Sequence, residues 1–82
     1  MSDEAKIAEL IRDVAPSVKI DRADYEQPLK DLGLDSLDHA SILLQVEEHF
    51  GIKIPDEAAE SLTSVGAIAR FVAAVKAPAS PA

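Results

Sequence analysis

A serine flanked by two aspartates is the part of this sequence that most suggests chemistry. Ser36 stands between Asp35 and Asp38 in the segment Asp-Leu-Gly-Leu-Asp-Ser-Leu-Asp, residues 31–38. Asp35 is a favourable N-cap residue, and an acid three positions later suits the first helical turn. Ser36 therefore falls at the first helical position, where free backbone N–H groups and the positive helix end favour a phosphate. On this pattern alone, Ser36 is either a phosphate attachment site or an ordinary helix-start residue.

Other groupings of polar residues lack the spacing that chemistry would need. Ser36, His39 and Asp35 crowd one helical turn with no oxyanion hole in view, so they do not predict a catalytic triad. The acids around Ser36 do not alternate as in an EF-hand loop, which argues against a specific calcium site. His39 and His49 are not placed at metal-ligand spacing. We expect both histidines to pack partly or to form hydrogen bonds near a helix end, and we predict no catalytic residue and no metal site.

Four helical segments are predicted to position these residues. Apolar residues recur at intervals of three and four in three long segments, which indicates helices with a buried face. Pro16 ends the first helix and Gly51 ends the second. The predicted helices span residues 3–15, 36–50 and 56–62, and Ser64 can cap a fourth helix that extends to about residue 75. The predicted fold class is therefore all-α, a small four-helix bundle with three main helices and a short third helix.

The segments outside the helices carry expectations of their own. Residues 16–34 form a long connection whose apolar side chains can attach it to the core. Tyr25 in this connection is expected to pack rather than to do chemistry, and Val75 is expected to face the core from the last helix. We predict one folded domain over residues 1–75 and a disordered tail over residues 76–82.

The second predicted helix is apolar on two sides. One side is a core face made of Ile42, Leu43, Val46 and Phe50. The other side is a stripe made of Leu37, Ala40 and Leu44, beside the acids Asp38, Glu47 and Glu48. Because a small bundle has little material to cover both sides, we expect the stripe to be an exposed docking surface for a groove with basic rims. The alternative is that the long connection covers the stripe.

Composition narrows the classes of function. The chain has 82 residues, with fifteen acidic and eight basic side chains and a net charge of −7. This balance disfavours nucleic acid and anionic membranes as partners and favours basic ones. Residues 31–60 hold eight of the acids and one base, and Lys53 and Arg70 are expected to be isolated, solvated bases. The absence of cysteine excludes disulfides, thiolate metal sites and cysteine nucleophiles.

The location of the protein is predicted from what the chain lacks. No apolar run reaches the length of a transmembrane helix, so no membrane insertion is expected. The N-terminal segment is acidic and amphipathic, which is not typical of a signal peptide. We therefore expect a cytoplasmic protein.

The segment around Ser36 also resembles a known motif. Residues 32–38, Leu-Gly-Leu-Asp-Ser-Leu-Asp, are similar to the phosphopantetheine attachment motif of acyl carrier proteins and related thiolation domains. The resemblance continues in short segments as far as residue 65 and covers roughly residues 3–75. It implies an acyl-carrier-protein-like bundle to which a phosphopantetheinyl transferase attaches 4'-phosphopantetheine from coenzyme A. The thiol of that arm would carry an acyl, aminoacyl or polyketide group as a thioester.

The same resemblance implies roles for individual residues. Ser36 would be the attachment site, with Asp35 and Leu37 beside the cofactor. The residues that would meet partners are Leu37, Asp38, Leu44, Glu47 and Glu48. The implied partners are phosphopantetheinyl transferase, an acyl- or aminoacyl-loading ligase, and synthases and transferases with basic docking surfaces. The chain itself would be a monomeric carrier and not an enzyme.

Three positions depart from the pattern of carriers that serve fatty acid synthesis. Such carriers often have another acid in place of Ser41, a small or hydroxyl residue in place of His39, and a bulky aromatic residue in place of Pro28. These departures suggest a specialised carrier, for a secondary metabolite, a modified lipid or an amino acid loaded by a separate ligase, rather than one that serves housekeeping fatty acid synthesis. The sequence does not choose among fatty acid, specialised lipid and secondary-metabolite biosynthesis. The alternatives are an unmodified acidic helical interaction module, in which Ser36 only starts a helix, and a small acyl-transferring enzyme.

Overall fold

The computed structural model describes residues 3–76, and this part of the chain forms four α-helices and no strand. The helices are α1 (Asp3–Val14), α2 (Ser36–Phe50), α3 (Asp56–Ala59) and α4 (Val65–Lys76). The predicted all-α class and the bundle of three main helices with a short third helix are confirmed. Within the same residues, no helix is long and apolar enough to cross a bilayer.

The helix bounds agree with the prediction most closely where a strong start or stop signal is present. Both ends of α2 are as predicted, because Asp35 caps its start and Gly51 ends it with a left-handed φ of 66°. Helix α3 ends at Ala59 and not near Leu62, because the chain continues in a tight turn in which the Leu62 N–H donates to the Ala59 carbonyl at 3.2 Å.

The end of α4 differs from the prediction in two ways. Lys76, which we assigned to the tail, is the last residue of the helix, and its Nζ lies 3.3 Å from a carboxylate oxygen of Asp3. Val75 is 46% exposed, so the expectation that it faces the core is wrong. The contact between Lys76 and Asp3 places the last turn of α4 beside the first residue of α1. Val75 therefore lies at the end of the interface between these two helices. The predicted disordered tail, apart from Lys76, lies outside the described residues.

The core lies where α2 and α4 pack against α1. Helix α1 packs against both other long helices. The largest fully buried side chains are Ile7, Ile11, Ile42, Val46, Val65, Ile68 and Val72. The predicted core face of α2 is confirmed, with Leu43 also buried and Phe50 packed against the cluster. This core holds α2 in a fixed orientation, so its remaining side is available to solvent.

The long connection is attached to the bundle, as predicted. It contains two short 3-10 helices, Arg22–Asp24 and Leu29–Leu32, which the sequence analysis did not identify. The Gly66 N–H donates to the Tyr25 carbonyl and the Leu29 N–H donates to the Thr63 carbonyl, both at 2.7 Å. Tyr25 packs against the core cluster, which confirms its predicted packing role.

Arg70 is exposed, as expected of a solvated base, but the expectation that it is isolated is wrong. Its two terminal guanidinium nitrogens donate to the two carboxylate oxygens of Glu26, at 3.0 and 3.2 Å. The hydrogen bond from Arg70 lowers the pKa of Glu26, and the same bond raises the pKa of Arg70. The pair lies 44 positions apart in sequence, so helical periodicity could not reveal it. Lys53 is exposed, as expected of a solvated base.

Candidate functional site

Ser36 is the first residue of α2, and it is exposed. The start of α2 is capped by the two aspartates near Ser36. The Asp38 N–H donates to Asp35 Oδ1 at 2.9 Å, and the Asp35 N–H donates to Asp38 Oδ2 at 3.5 Å. This reciprocal arrangement satisfies the backbone donors that a serine at a helix start often serves. The Ser36 hydroxyl is therefore presented to solvent without a role in the cap.

The turn before Ser36 is formed by Gly33 and Leu34. Gly33 has a φ of 97°, a left-handed conformation that favours glycine. The Leu34 N–H then donates to the Leu29 carbonyl at 3.2 Å, and the Leu34 side chain is buried. Burial of Leu34 directly before exposed Asp35 fixes the point at which the chain emerges from the core, so Ser36 has a defined position.

An open groove begins at Ser36 and has a volume of about 470 Å³. We call it the Ser36 groove. It is lined by Pro28, Leu29, Lys30, Leu34, Asp35, Ser36, His39 and Thr63. Apolar side chains supply much of this lining, so a group attached to Ser36 would have an apolar surface beside it. The sequence analysis did not predict this groove, because its lining comes from four separate parts of the chain.

The second apolar stripe of α2 is exposed. Leu37 is 74% exposed and Leu44 is 56% exposed, and Ala40 between them is also exposed. The alternative that the long connection covers this stripe is therefore wrong. Exposed leucines at this spacing leave an apolar strip on the helix that starts at Ser36.

The three acids beside the stripe differ in their surroundings. Glu48 is exposed, whereas Asp38 and Glu47 are half-buried. Asp38 belongs to the helix cap, and Glu47 Oε2 accepts a hydrogen bond from the Ile54 N–H at 2.7 Å. Sequence analysis missed this second role of Glu47. The available signal was an acid one turn before a helix-ending glycine, followed by an extended link with free N–H groups.

The two histidines of α2 also differ in their burial and in their contacts. His39 is half-buried, and its Nε2 lies 2.7 Å from the Leu62 carbonyl oxygen, which confirms the expected packing and hydrogen bonding. His49 is exposed, and its ring meets Phe50 edge-on with the ring centroids 5.0 Å apart. Within residues 3–76 no three His, Cys, Asp or Glu side chains are grouped so as to hold a metal ion.

Comparison with known proteins agrees with this geometry. The family model described as the phosphopantetheine attachment site matches residues 5–72. The chain is 37% identical over 62 residues to the acyl carrier protein of Helicobacter pylori strain G27, a match that covers 72% of this chain and 80% of that protein. It is 46% identical over 52 residues to acyl carrier protein 3, mitochondrial, of Arabidopsis thaliana, which covers 63% of this chain but only 37% of the plant protein.

A solved structure gives the same result at the level of the fold. The acyl carrier protein from Enterococcus faecalis matches with a TM-score of 0.68 and 26% sequence identity, and the match covers 90% of this chain and 98% of that one. The family match extends over both the helix that starts at Ser36 and the core that supports it. The chain therefore belongs to the phosphopantetheine-attachment family, the family of the acyl carrier proteins, whose members carry covalently attached 4'-phosphopantetheine.

Proposed function

We propose that this chain is an acyl carrier and that the Ser36 hydroxyl is the point at which 4'-phosphopantetheine is attached. The observation that carries the proposal is the exposed Ser36 hydroxyl at the start of α2, with the cap supplied by Asp35 and Asp38. Family membership supplies the identity of the group, and the exposed position of Ser36 supports the choice of residue.

The residues around Ser36 fit this group. A phosphate on the Ser36 oxygen would lie beside the first N–H groups of α2, where the helix end favours negative charge. The Ser36 groove supplies an apolar surface next to that phosphate. Leu37 is exposed beside the attachment point, and Asp35 holds the helix start in place. When bound, the group supplies a terminal thiol that carries an acyl group as a thioester.

In the attachment step, Ser36 acts as the acceptor. The Ser36 oxygen forms a new bond to the phosphorus of the pantetheine phosphate, the bond from that phosphorus to the nucleotide part of coenzyme A breaks, and the nucleotide leaves. The hydroxyl proton must pass to a base of the transferase. Within the described chain, Asp35 Oδ1 accepts a hydrogen bond in the helix cap and His39 Nε2 donates to the Leu62 carbonyl, so each of these neighbouring side chains has a structural role. We expect the transferase to supply the chemistry and the chain itself to act as a carrier.

Intact mass tests the attachment. The protein is incubated with coenzyme A and a promiscuous phosphopantetheinyl transferase, and a gain of about 340 Da is expected from the composition of the added group. Ser36→Ala should lose the gain, and Ser41→Ala, the matched serine on the same helix, should keep it. Failure of the wild type to gain this mass, while another carrier is modified under the same conditions, would favour the unmodified interaction module.

We further propose that the exposed stripe of α2 is the docking surface for the transferase and for later partners. The apolar contacts would come from Leu37 and Leu44, and the negative charges from Asp38, Glu47 and Glu48. Acids beside an exposed apolar strip suit partners whose grooves have basic rims, because charge speeds the encounter and apolar contact holds the complex. The partners expected here are the transferase, a loading ligase, and synthases and acyltransferases.

Charge reversal at Glu48 tests the docking surface. Glu48 is exposed, so Glu48→Lys changes charge without breaking a hydrogen bond to the backbone of the described chain. We expect modification at low salt to slow by about tenfold, and we expect added salt to reduce the difference from wild type. Asp13→Lys makes the same charge change at an exposed position of α1 and is the control. Equal slowing by both variants would mean that net charge, and not the α2 surface, is responsible.

Three further expectations accompany the proposal. A monomer is expected, and sedimentation of the modified protein tests this state. The carrier domain, predicted to extend over residues 1–75, is expected to include Lys76 as the last residue of α4, and limited proteolysis tests that boundary. A cytoplasmic location is expected, and cell fractionation tests it against the mitochondrial location in the name of the Arabidopsis relative.

A further inference from the structure

His39 lies between two cavities. One is the Ser36 groove, and the other is a cleft of about 300 Å³ between α2 and the segment that contains α3. This second cavity, the α2–α3 cleft, is lined by His39, Ala40, Leu43, Leu44, Glu47, Ile54, Asp56 and Ala59. His39 is the residue common to both linings. Its side chain therefore forms part of the wall between them.

The His39 side chain is held in this position by a hydrogen bond. Because a carbonyl oxygen only accepts, His39 Nε2 carries the hydrogen that it donates to Leu62 across 2.7 Å. The Leu62 residue is buried, so rotation of the ring away from this contact would leave a carbonyl in the interior without its partner. The bond joins α2 to the segment between α3 and α4, which are the two sides of the wall.

A cargo group on an arm attached to Ser36 would start beside the Ser36 groove, and the groove shares His39 with the α2–α3 cleft. Tethering gives the cargo a high effective concentration at nearby apolar surfaces, and each methylene group that leaves water lowers the free energy. Apolar residues line both spaces, including Leu29 and Leu34 in the groove and Leu43 and Ile54 in the cleft. Whichever cavity the cargo enters, His39 forms its boundary with the other.

We propose that His39 determines specificity by separating the Ser36 groove from the α2–α3 cleft, which limits the length of acyl chain that the protein can shelter. The proposal rests on the proposed carrier function. It concerns an imidazole at a position where the resemblance led us to expect a small or hydroxyl residue. A smaller side chain at this position would join the two cavities, and longer chains would then fit.

The test compares acyl chains of increasing length on wild-type protein and on His39→Ala. Each protein is first converted to the phosphopantetheine form and checked by mass, then loaded with saturated chains from butyryl to palmitoyl. The gain in the midpoint of thermal unfolding over the unloaded form is measured, together with the rate at which hydroxylamine cleaves the thioester. In wild type we expect the gain to increase with chain length and then to level off. In His39→Ala we expect this limit to move to chains longer by at least about two methylene groups, the approximate volume of the removed side chain, and by more as the chain enters the α2–α3 cleft of about 300 Å³.

Matched variants distinguish the effect of the His39 side-chain volume from the effect of its hydrogen bond. His39→Gln keeps a donor and most of the volume, so its length limit should equal that of wild type. If His39→Ala does not fold, His39→Thr opens the same wall with a smaller loss and takes its place. An unchanged limit in the folded small variant, an equal shift in His39→Gln, or no length-dependent gain in any protein would each overturn the proposal. Failure of the carrier function would instead be seen earlier, as no mass gain at Ser36.

Discussion

At the residue scale, two aspartates satisfy the backbone donors at the start of α2. Asp35 accepts from the Asp38 N–H at 2.9 Å, and Asp38 accepts from the Asp35 N–H at 3.5 Å. The Ser36 hydroxyl takes no part in either bond, so its replacement should alter modification without weakening the helix. Because the Ser36 hydroxyl lies outside the cap, variants at Ser36 test modification, whereas variants at Asp35 test the stability of α2.

The capping role of Asp35 predicts a stability effect in the unmodified protein. Asp35→Ala should lower the free energy of unfolding by about 1 kcal/mol, because it removes the oxygen that caps α2. Asp35→Asn keeps a capping oxygen and should recover most of that loss, while Ser36→Ala should stay within about 0.5 kcal/mol of wild type. Urea unfolding followed by circular dichroism measures all three. A loss in Asp35→Asn as large as in Asp35→Ala would argue against the cap.

At the element scale, α2 has one side in the core, one side exposed, and a contact with the link that follows it. Glu47 makes that contact, since its carboxylate accepts the Ile54 N–H at 2.7 Å. Ile54 packs against the core cluster, so the bond fixes the link between α2 and α3 beside α2. A charge reversal at Glu47 would therefore disturb the fold as well as the docking surface, which is why Glu48 is the better site for testing docking.

The contact between Glu47 and the link predicts a difference between two neighbouring acids. Glu47→Ala should lower the free energy of unfolding by about 1 to 3 kcal/mol, because it leaves the half-buried Ile54 N–H without its acceptor. Glu47→Gln retains an oxygen acceptor and should lose less. Glu48→Ala, an exposed control, should change stability by no more than about 0.5 kcal/mol. Urea unfolding measures these free energies. Similar losses of stability at Glu47 and Glu48 would contradict the assigned role of Glu47.

At the scale of the whole molecule, the long connection is held to α4 and to the segment just before it by contacts between distant parts of the chain. Two backbone hydrogen bonds and the pair between Glu26 and Arg70 join them. The Glu26 carboxylate lies directly against Gly66, where the Cβ of any other residue would meet it. The absence of a side chain at Gly66 therefore lets the carboxylate lie flat over α4 and reach Arg70.

The Glu26–Arg70 pair predicts a pH-dependent contribution to stability. The hydrogen bond from Arg70 lowers the pKa of Glu26 below its ordinary value in the folded state, so folding favours the ionised carboxylate. The stabilisation is therefore present above the unfolded-state pKa and is lost as the pH falls through the lower folded-state value. The free energies of unfolding of Glu26→Gln and wild type should differ at neutral pH and become equal in acid. Both groups are largely exposed, so we expect a small difference that added salt reduces further.

A variant at another exposed acid provides the control for this pH dependence. Glu57→Gln removes the same charge from α3. Its free energy of unfolding should not differ from that of wild type in the same pH-dependent way. A difference between Glu26→Gln and wild type that persists unchanged in acid would contradict the assigned pair.

Much of the fold and the centre of the site could be predicted from sequence because they depend on nearby residues. The bounds of α2 follow from Asp35 and Gly51, and its two apolar sides follow from the helical repeat. The position of Ser36 at a helix start has the same local origin. Since caps and periodicity involve residues within a few positions of one another, no knowledge of the chain path was needed to predict them.

Tertiary structure alone decided how separate segments meet. The exposure of Val75, the pairing of Arg70 with Glu26, and the bond from His39 to Leu62 all depend on where distant segments lie. The Ser36 groove is of the same kind. Sequence by itself thus determined the helices and the residue presented at the start of α2, whereas the packing of the connection and of the α3 segment determined what lies beside it. The physical reason is that side-chain periodicity specifies which face is buried, but only the packed chain specifies which neighbour covers it.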